Sequence, residues 1–176
     1  LTSAYVPLSA AIIGEKVYKV IEDGADKVGA FSHGYTYSGH PIGVACANAV
    51  LDIVESEDMP GNARTTGAYF KDQLRQVFAQ LPIVGEVRGV GLMAALEFVA
   101  DRDKKQRFDP ALKVGAKISA AARARGLIAR AMPHGDILGF APPLVTTREE
   151  VDAIVDIAEA AVREVMDQLT REKAVA

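Results

Sequence analysis

Cysteine is nearly absent from this sequence: Cys46 stands alone, which excludes an internal disulfide. Histidine is scarce too, and His33, His40 and His134 are too scattered to form a metal-ligand cluster with it. The expectation is a protein of a reducing, cytoplasmic compartment with no metal site. No run of one charge sign stands out. The 20 basic and 23 acidic side chains leave a formal charge of −3, which argues against nucleic acid or an anionic membrane as partner. Long hydrophobic runs are missing as well, since the most apolar stretch, Gly43 to Leu51, is far too short to span a bilayer. The opening Leu1-Thr2-Ser3-Ala4-Tyr5 has no initiator Met, no signal-peptide charge pattern and no polar lead-in. It starts as if inside a folded element, and the expectation is a portion of a longer protein.

What is present suits a globular chain with a substantial core: 176 residues, 49% hydrophobic and 24% charged, enough for one domain or one plus a fragment. The apolar run Val6 to Ile13, ending at Gly14, predicts a buried strand, and Glu15 to Ile21 predicts a turn or two of helix stopped by Asp23-Gly24. Gly24 to Gly39 has no clear period and predicts a loop of functional length. Pro41 fits the first position of a helix, with Ile42, Ala45, Cys46, Ala49 and Ile53 at helical spacing and Cys46 as a small buried residue. Met59-Pro60-Gly61 predicts the end of that helix and a domain boundary, dividing the chain into 1–58 and 59–176.

Asn62 is the expected cap of the next helix, whose stripe is Phe70, Leu74, Val77, Phe78 and Leu81. Ile83 to Val87 and Leu92 to Val99 read as strands joined around Arg88-Gly89-Val90-Gly91. Asp109-Pro110 opens a helix that runs to Arg123 and Arg125 and closes at Gly126. Leu127 to Ala131 and Ile137 to Phe140 read as further short strands. Thr147 and Glu150 form a capping box for a last helix, with Val151, Val155, Ala158, Val162, Val165 and Leu169 on its apolar face. This order suggests the tail of an α/β domain followed by a smaller α+β domain.

The richest segment chemically is Phe31-Ser32-His33-Gly34-Tyr35-Thr36-Tyr37-Ser38-Gly39-His40-Pro41. Hydroxyls, imidazoles and glycines stand directly before a helix N-terminus, which suits a phosphate or a carboxylate. By its residues alone the segment reads first as a polar turn that caps the helix. Gly89-Val90-Gly91 lacks the third glycine and helix start of a dinucleotide fingerprint, and Arg88 beside it is read as serving a tight turn.

The stretch from His33 to Pro41 resembles the loop of class III (ω-transaminase type) aminotransferases that carries the phosphate-binding threonine. Leu1 to Leu8 resembles the segment directly after the family's Schiff-base lysine. Val87-Arg88-Gly89-Val90-Gly91-Leu92 resembles the turn into the family's C-terminal domain. Leu127-Ile128-Ala129-Arg130 and Ala141-Pro142-Pro143-Leu144 resemble the strand of the substrate-binding arginine and the stretch beyond it. The resemblance covers essentially the whole chain.

It implies a fold type I enzyme dependent on pyridoxal 5'-phosphate (PLP), represented by the C-terminal part of its large domain and a small C-terminal α+β domain. The implied reaction moves an amino group from an amine or ω-amino acid to a keto acid such as pyruvate. Thr36 is implied as the cofactor-phosphate ligand of a neighbouring subunit, in a homodimer with shared active sites. Tyr35 is implied to line the substrate pocket, with packing as its other reading. Arg130 is implied to grip the substrate carboxylate, a role for which a planar, permanently charged guanidinium is suited. Its other reading is an edge-strand arginine in a surface ion pair, and only motif position selects it over Arg123 and Arg125. The catalytic lysine is expected before Leu1, so no catalytic residue is assigned within the chain and the chain by itself is expected to be inactive. The alternatives are an aminomutase or decarboxylase relative, or a non-catalytic dimerisation fragment.

Overall fold

A computed structural model describes residues 1–172. The chain divides into two compact units, the first from Leu1 to Glu57 and the second from Asp58 onward.

The first unit holds two helices, α1 (Glu15–Val28) and α2 (Pro41–Ser56). The strand expected over Val6 to Ile13 does not form: these residues adopt no regular secondary structure and are largely exposed. A strand needs a partner for its N–H and C=O groups, and the described residues of this unit contain no strand. The first helix is longer than the sequence suggests, because Asp23-Gly24 does not stop it. A glycine inside a helix costs only about 1 kcal/mol, and Lys19 supports the turn by pairing with Asp23 at 2.7 Å. The chain leaves α1 at Gly29, whose φ of 84° is open to glycine and whose N–H still donates to Ala25 O. The helix α2 begins at Pro41 as expected, with Gly43 and Ala47 buried and Cys46 half-buried rather than enclosed.

The second unit is a sheet covered on one face by helices. It begins with α3 (Met59–Phe78), so Met59-Pro60-Gly61 starts a helix where the sequence suggested only a break. Proline is at home in a first turn, and the cap is Asp58, whose carboxylate accepts the Gly61 N–H at 3.1 Å. Asn62, the expected cap, instead braces the unit from within. Its side-chain amide donates to Leu144 O at 2.7 Å and Thr146 O at 3.0 Å, and its Oδ1 accepts from the Thr66 hydroxyl at 2.8 Å. Phe70, Leu74 and Phe78 are buried as the stripe predicts, and Val77 is partly so.

Strands β1 (Val84–Val90) and β2 (Met93–Phe98) pair antiparallel, with Val90 opposite Met93. The connection is therefore only Gly91-Leu92, and Arg88 lies within β1 instead of in the turn. Gly91 sits at φ 56°, as the first position of such a two-residue turn favours. The helix expected from Asp109 to Arg125 is broken into a short 3₁₀ turn (Pro110–Leu112) and α4 (Val114–Ala124). Lys113 between them is left-handed, with φ 49°, and the start of α4 is capped by Asp136, which accepts the Gly115 N–H at 2.8 Å.

Strands β3 (Arg130–Ala131) and β4 (Ile137–Phe140) complete a sheet of order β1-β2-β4-β3, antiparallel throughout. The last helix, α5 (Arg148–Arg171), starts at the predicted capping box: Thr147 Oγ1 accepts from Glu150 N–H, and the Glu150 carboxylate accepts from Thr147 N–H. The core lies between the sheet and the helices α3, α4 and α5. Ala94, Leu96, Phe98, Leu138 and Phe140 point inward, and the rings of Phe70 and Phe140 meet edge to face at 5.7 Å.

Candidate functional site

In the first unit the candidate residues fall in a turn over Thr36–Gly39 that leads into α2. Ser38 organises it, with its hydroxyl accepting the Tyr35 N–H at 2.9 Å and its own N–H donating to Tyr35 O at 2.9 Å. A second closure runs from His40 N–H to Tyr37 O at 3.2 Å. Tyr35 is 78% exposed, and the edge of its ring meets His33 with centroids 5.8 Å apart. Thr36 is exposed, and among the described residues its hydroxyl takes no part in the bonding of the turn. The N-cap of α2 is His40, which makes no side-chain bond to the first turn. The first N–H groups of this helix therefore receive no acceptor from the cap side chain, at the positive end of its dipole. A free hydroxyl and an uncapped helix N-terminus on one short segment fit a phosphate. A cavity of about 300 Å³ adjoins it, lined by Val6, Pro7, Leu8, Tyr37, His40 and Gly43.

In the second unit the relevant surface is the face of the sheet that carries no helix. Alternation along the strands and the pairing register lay this face out in rows. Arg88, Ala95, Gly139 and Arg130 lie directly opposite one another across the four strands, in that order. The next row is Glu86, Glu97 and Ile137, with Met132 N–H donating to Ile137 O at 2.9 Å on its far side. A cavity of about 670 Å³ opens over this face, walled by Met93, Ile128 and Met132 and floored by Ala95 and Gly139.

The two arginines at the ends of the row differ in charge balance. Arg88 donates through Nη1 to Glu86 at 2.7 Å and to Glu97 at 2.6 Å. The Glu97 carboxylate, with Glu86 assisting, raises its proton affinity above the ordinary arginine value. Arg130 is exposed and takes part in none of the ion pairs among the described residues. It is thus an uncompensated guanidinium at the rim of a largely apolar cavity. That arrangement can bind a carboxylate through a bidentate, charge-assisted contact.

The family model "Aminotransferase class-III" matches residues 1–162. The chain belongs to the class-III aminotransferases. It is 78% identical over 98% of its length to an aminotransferase of Sinorhizobium fredii, and 57% identical over 99% to the diaminobutyrate–2-oxoglutarate transaminase of Halomonas elongata. It spans 37% of the length of each of these relatives. Among solved structures it resembles a transaminase from a directed-evolution study by ancestral reconstruction, with a TM-score of 0.94 and 66% identity, covering 96% of this chain and 37% of that one. The fold type I architecture of the PLP-dependent transaminases is therefore the frame in which both units stand.

For a class-III aminotransferase the placements are as follows. Tyr35 and Thr36 lie in the first unit, and Arg130 is the first residue of β3 in the second. Among the described residues Arg130 makes no ion pair, whereas Arg125 pairs with Glu164. Arg88 is a strand residue held by two carboxylates, not a turn residue. His40 is an N-cap residue, and His134 lines the larger cavity beside Arg130. Sequence reasoning missed Ala95 and Gly139, which floor that cavity, and Met132, which walls it. No chemical group marks the first two, and the only signal was the smallness of two strand residues on a shared face. Among the described residues no cluster of His, Cys, Asp or Glu could hold a metal ion, and no helix is long and apolar enough to cross a membrane.

Proposed function

We propose that this chain is part of a PLP-dependent transaminase of the ω type. It moves an amino group between an amine or ω-amino acid and a keto acid such as pyruvate. The observation that carries the reading is the uncompensated Arg130 guanidinium at the rim of a largely apolar cavity. A site of that composition binds the carboxylate of one substrate and the hydrocarbon of the other. The Halomonas relative, whose name pairs diaminobutyrate with 2-oxoglutarate, supports a keto acid as acceptor.

Bound PLP supplies the electron sink for the transfer. The Thr36 hydroxyl donates to the cofactor phosphate, and the first N–H groups of α2 give that phosphate a favourable end of the helix dipole. Tyr35 lines the substrate pocket. Both residues serve the cofactor of a neighbouring subunit, so the enzyme is a homodimer with shared active sites. Residues 1–58 form the C-terminal part of the large PLP-binding domain, and residues 59–176 form the small domain. The enzyme is cytoplasmic, with small-molecule substrates and neither nucleic acid nor membrane as partner.

None of Lys16, Lys19 and Lys27 is read as the Schiff-base lysine. Lys16, Lys19 and Lys27 are exposed on α1, and Lys19 is already engaged with Glu22 and Asp23. The 176-residue polypeptide alone is accordingly expected not to transaminate. Borohydride trapping of PLP on one defined lysine, together with turnover of an amine, would overturn that statement.

The test of the main reading is Arg130→Ala in the complete enzyme. Losing a bidentate, charge-assisted contact lowers kcat/KM for pyruvate by on the order of a hundredfold. Propanal, an acceptor of similar size without a carboxylate, is largely spared. Arg130→Lys recovers part of the loss, because an ammonium lacks the planar fork. Equal loss for both acceptors would reduce Arg130 to a structural residue, and no loss for either would leave it a surface charge.

A further inference from the structure

Another cavity of the second unit, of about 290 Å³, lies where β2 ends, β4 begins and α4 starts. Arg130 does not line it. Its charged groups are Arg107, Lys113, Glu97 and Asp136, and they divide by sign. Both carboxylates are already engaged within the protein. Glu97 accepts from Arg88 at 2.6 Å, and Asp136 accepts the Gly115 N–H at 2.8 Å, at the positive end of the α4 dipole. The two cations are not engaged: among the described residues Arg107 and Lys113 take part in no ion pair.

The backbone that carries these cations is held in place. Gln106 N–H donates to Asp101 O at 2.9 Å and Phe108 is buried in the core, so Arg107 stands between two anchored residues. Lys113 joins the 3₁₀ turn to α4 in the left-handed region, which is unfavourable for a residue with a Cβ. A Cβ on Gly115 would come within 3.2 Å of Asp136 Cα and Ile137 N, so the missing side chain lets α4 sit this close to β4. Such a backbone needs little ordering when a ligand arrives. The positive charge also extends past the cavity. From Arg102 to Lys113 there are five basic and two acidic residues, in a chain of net charge −3, and this local field concentrates anions.

Charge and size narrow the class of ligand. A single carboxylate would leave one of the two cations unmatched. A phosphate group carries about −1.5 to −2 at pH 7 and offers three acceptor oxygens to an arginine fork and a lysine together. Pro110, Met132 and Pro133 add apolar wall. A cavity of roughly 150 Å³ encloses benzene, so about twice that volume has room for a phosphate and a short carbon chain. We propose that this cavity binds a small phosphate monoester, with Arg107 and Lys113 holding the phosphate and the carbon chain lying against Pro110 and Met132. Inorganic phosphate presents the same charged group without the carbon chain and binds there more weakly.

The test is calorimetric titration of the complete enzyme with inorganic phosphate and with glycerol 3-phosphate at fixed ionic strength. The enzyme is first saturated with PLP, so that a phosphate site at Thr36 is already filled, and Tm reports on the folding of each variant. Both probes bind, glycerol 3-phosphate roughly threefold more tightly because its carbon chain meets apolar wall. Arg107→Gln and Lys113→Gln, neutral side chains of similar reach, each weaken glycerol 3-phosphate by about five- to tenfold through loss of a charge-assisted contact. Asp136→Asn keeps an acceptor for the Gly115 N–H but removes a negative charge facing the ligand, and tightens both probes roughly threefold. Arg130→Ala leaves both affinities unchanged. The assignment is overturned if neither probe binds, or if Arg107→Gln and Lys113→Gln leave binding intact. It is overturned equally if Arg130→Ala abolishes binding, if Asp136→Asn weakens it at unchanged Tm, or if the ester binds no more tightly than inorganic phosphate.

Discussion

Replacing Asn62 tests how the second unit is braced. Its side chain joins α3 to the segment before α5 through bonds of 2.7 Å to Leu144 O and 3.0 Å to Thr146 O, while its Oδ1 holds the Thr66 hydroxyl at 2.8 Å. Thr66 and Thr146 are buried, at 6% and 3% exposure, so the groups released by truncation are poorly served by water. Each bond contributes about 1 kcal/mol net. Asn62→Ala, which removes all of them, therefore loses about 2–3 kcal/mol, and Tm falls by roughly 5–10 °C. Asn62→Asp is more damaging at pH 7. It keeps the acceptor for Thr66 but turns a carboxylate oxygen toward two carbonyl oxygens, where a charged acceptor has no donor. Urea and thermal unfolding of both variants measure these losses. Losses below about 0.5 kcal/mol, or Asp tolerated better than Ala, would show that the brace contributes nothing and the reasoning is wrong.

Gly67 of α3 lies against the β1–β2 connection, where an added Cβ would come within 2.2 Å of the Gly91 carbonyl carbon. The obstacle is backbone, so Gly67→Ala is expected to cost more than about 3 kcal/mol, seen as loss of soluble protein or a low unfolding midpoint. Thr36→Ala is expected to weaken PLP binding by roughly tenfold, while Thr36→Ser, which keeps the hydroxyl, stays near wild type; titration of the apoenzyme measures both.

Much of the fold was legible because the signals were local. The capping box of Thr147 and Glu150 and the buried stripes of α3 and α5 depend on residues three or four apart, and they appear where the sequence put them. The misreadings arose where two segments had to meet. Val6 to Ile13 is apolar enough for a strand but has no strand to pair with among the described residues of its unit. Asp109 to Arg125 carries correct helix ends, yet Lys113 breaks it, and Asp136, far along the chain, caps the second piece. Asn62 looked like a cap by residue type, but Asp58 took that role and left Asn62 for a tertiary bond. Thr36, Tyr35 and Arg130 were selected by their place in a recognised motif, since a lone threonine, tyrosine or arginine carries no such signal.

Family and helices could be read without any fold, because an ordered set of motifs and a helical period are both carried by neighbouring residues. The row Arg88-Ala95-Gly139-Arg130 could not. Its two halves, Arg88 with Ala95 and Arg130 with Gly139, are far apart in the chain, and strand register alone brings them opposite one another. A slip of one residue would turn each of these side chains to the other face of the sheet. Register is set by burying Leu96, Phe98, Leu138 and Phe140 against the helices. The packing of the covered face thus determines which residues meet on the open one.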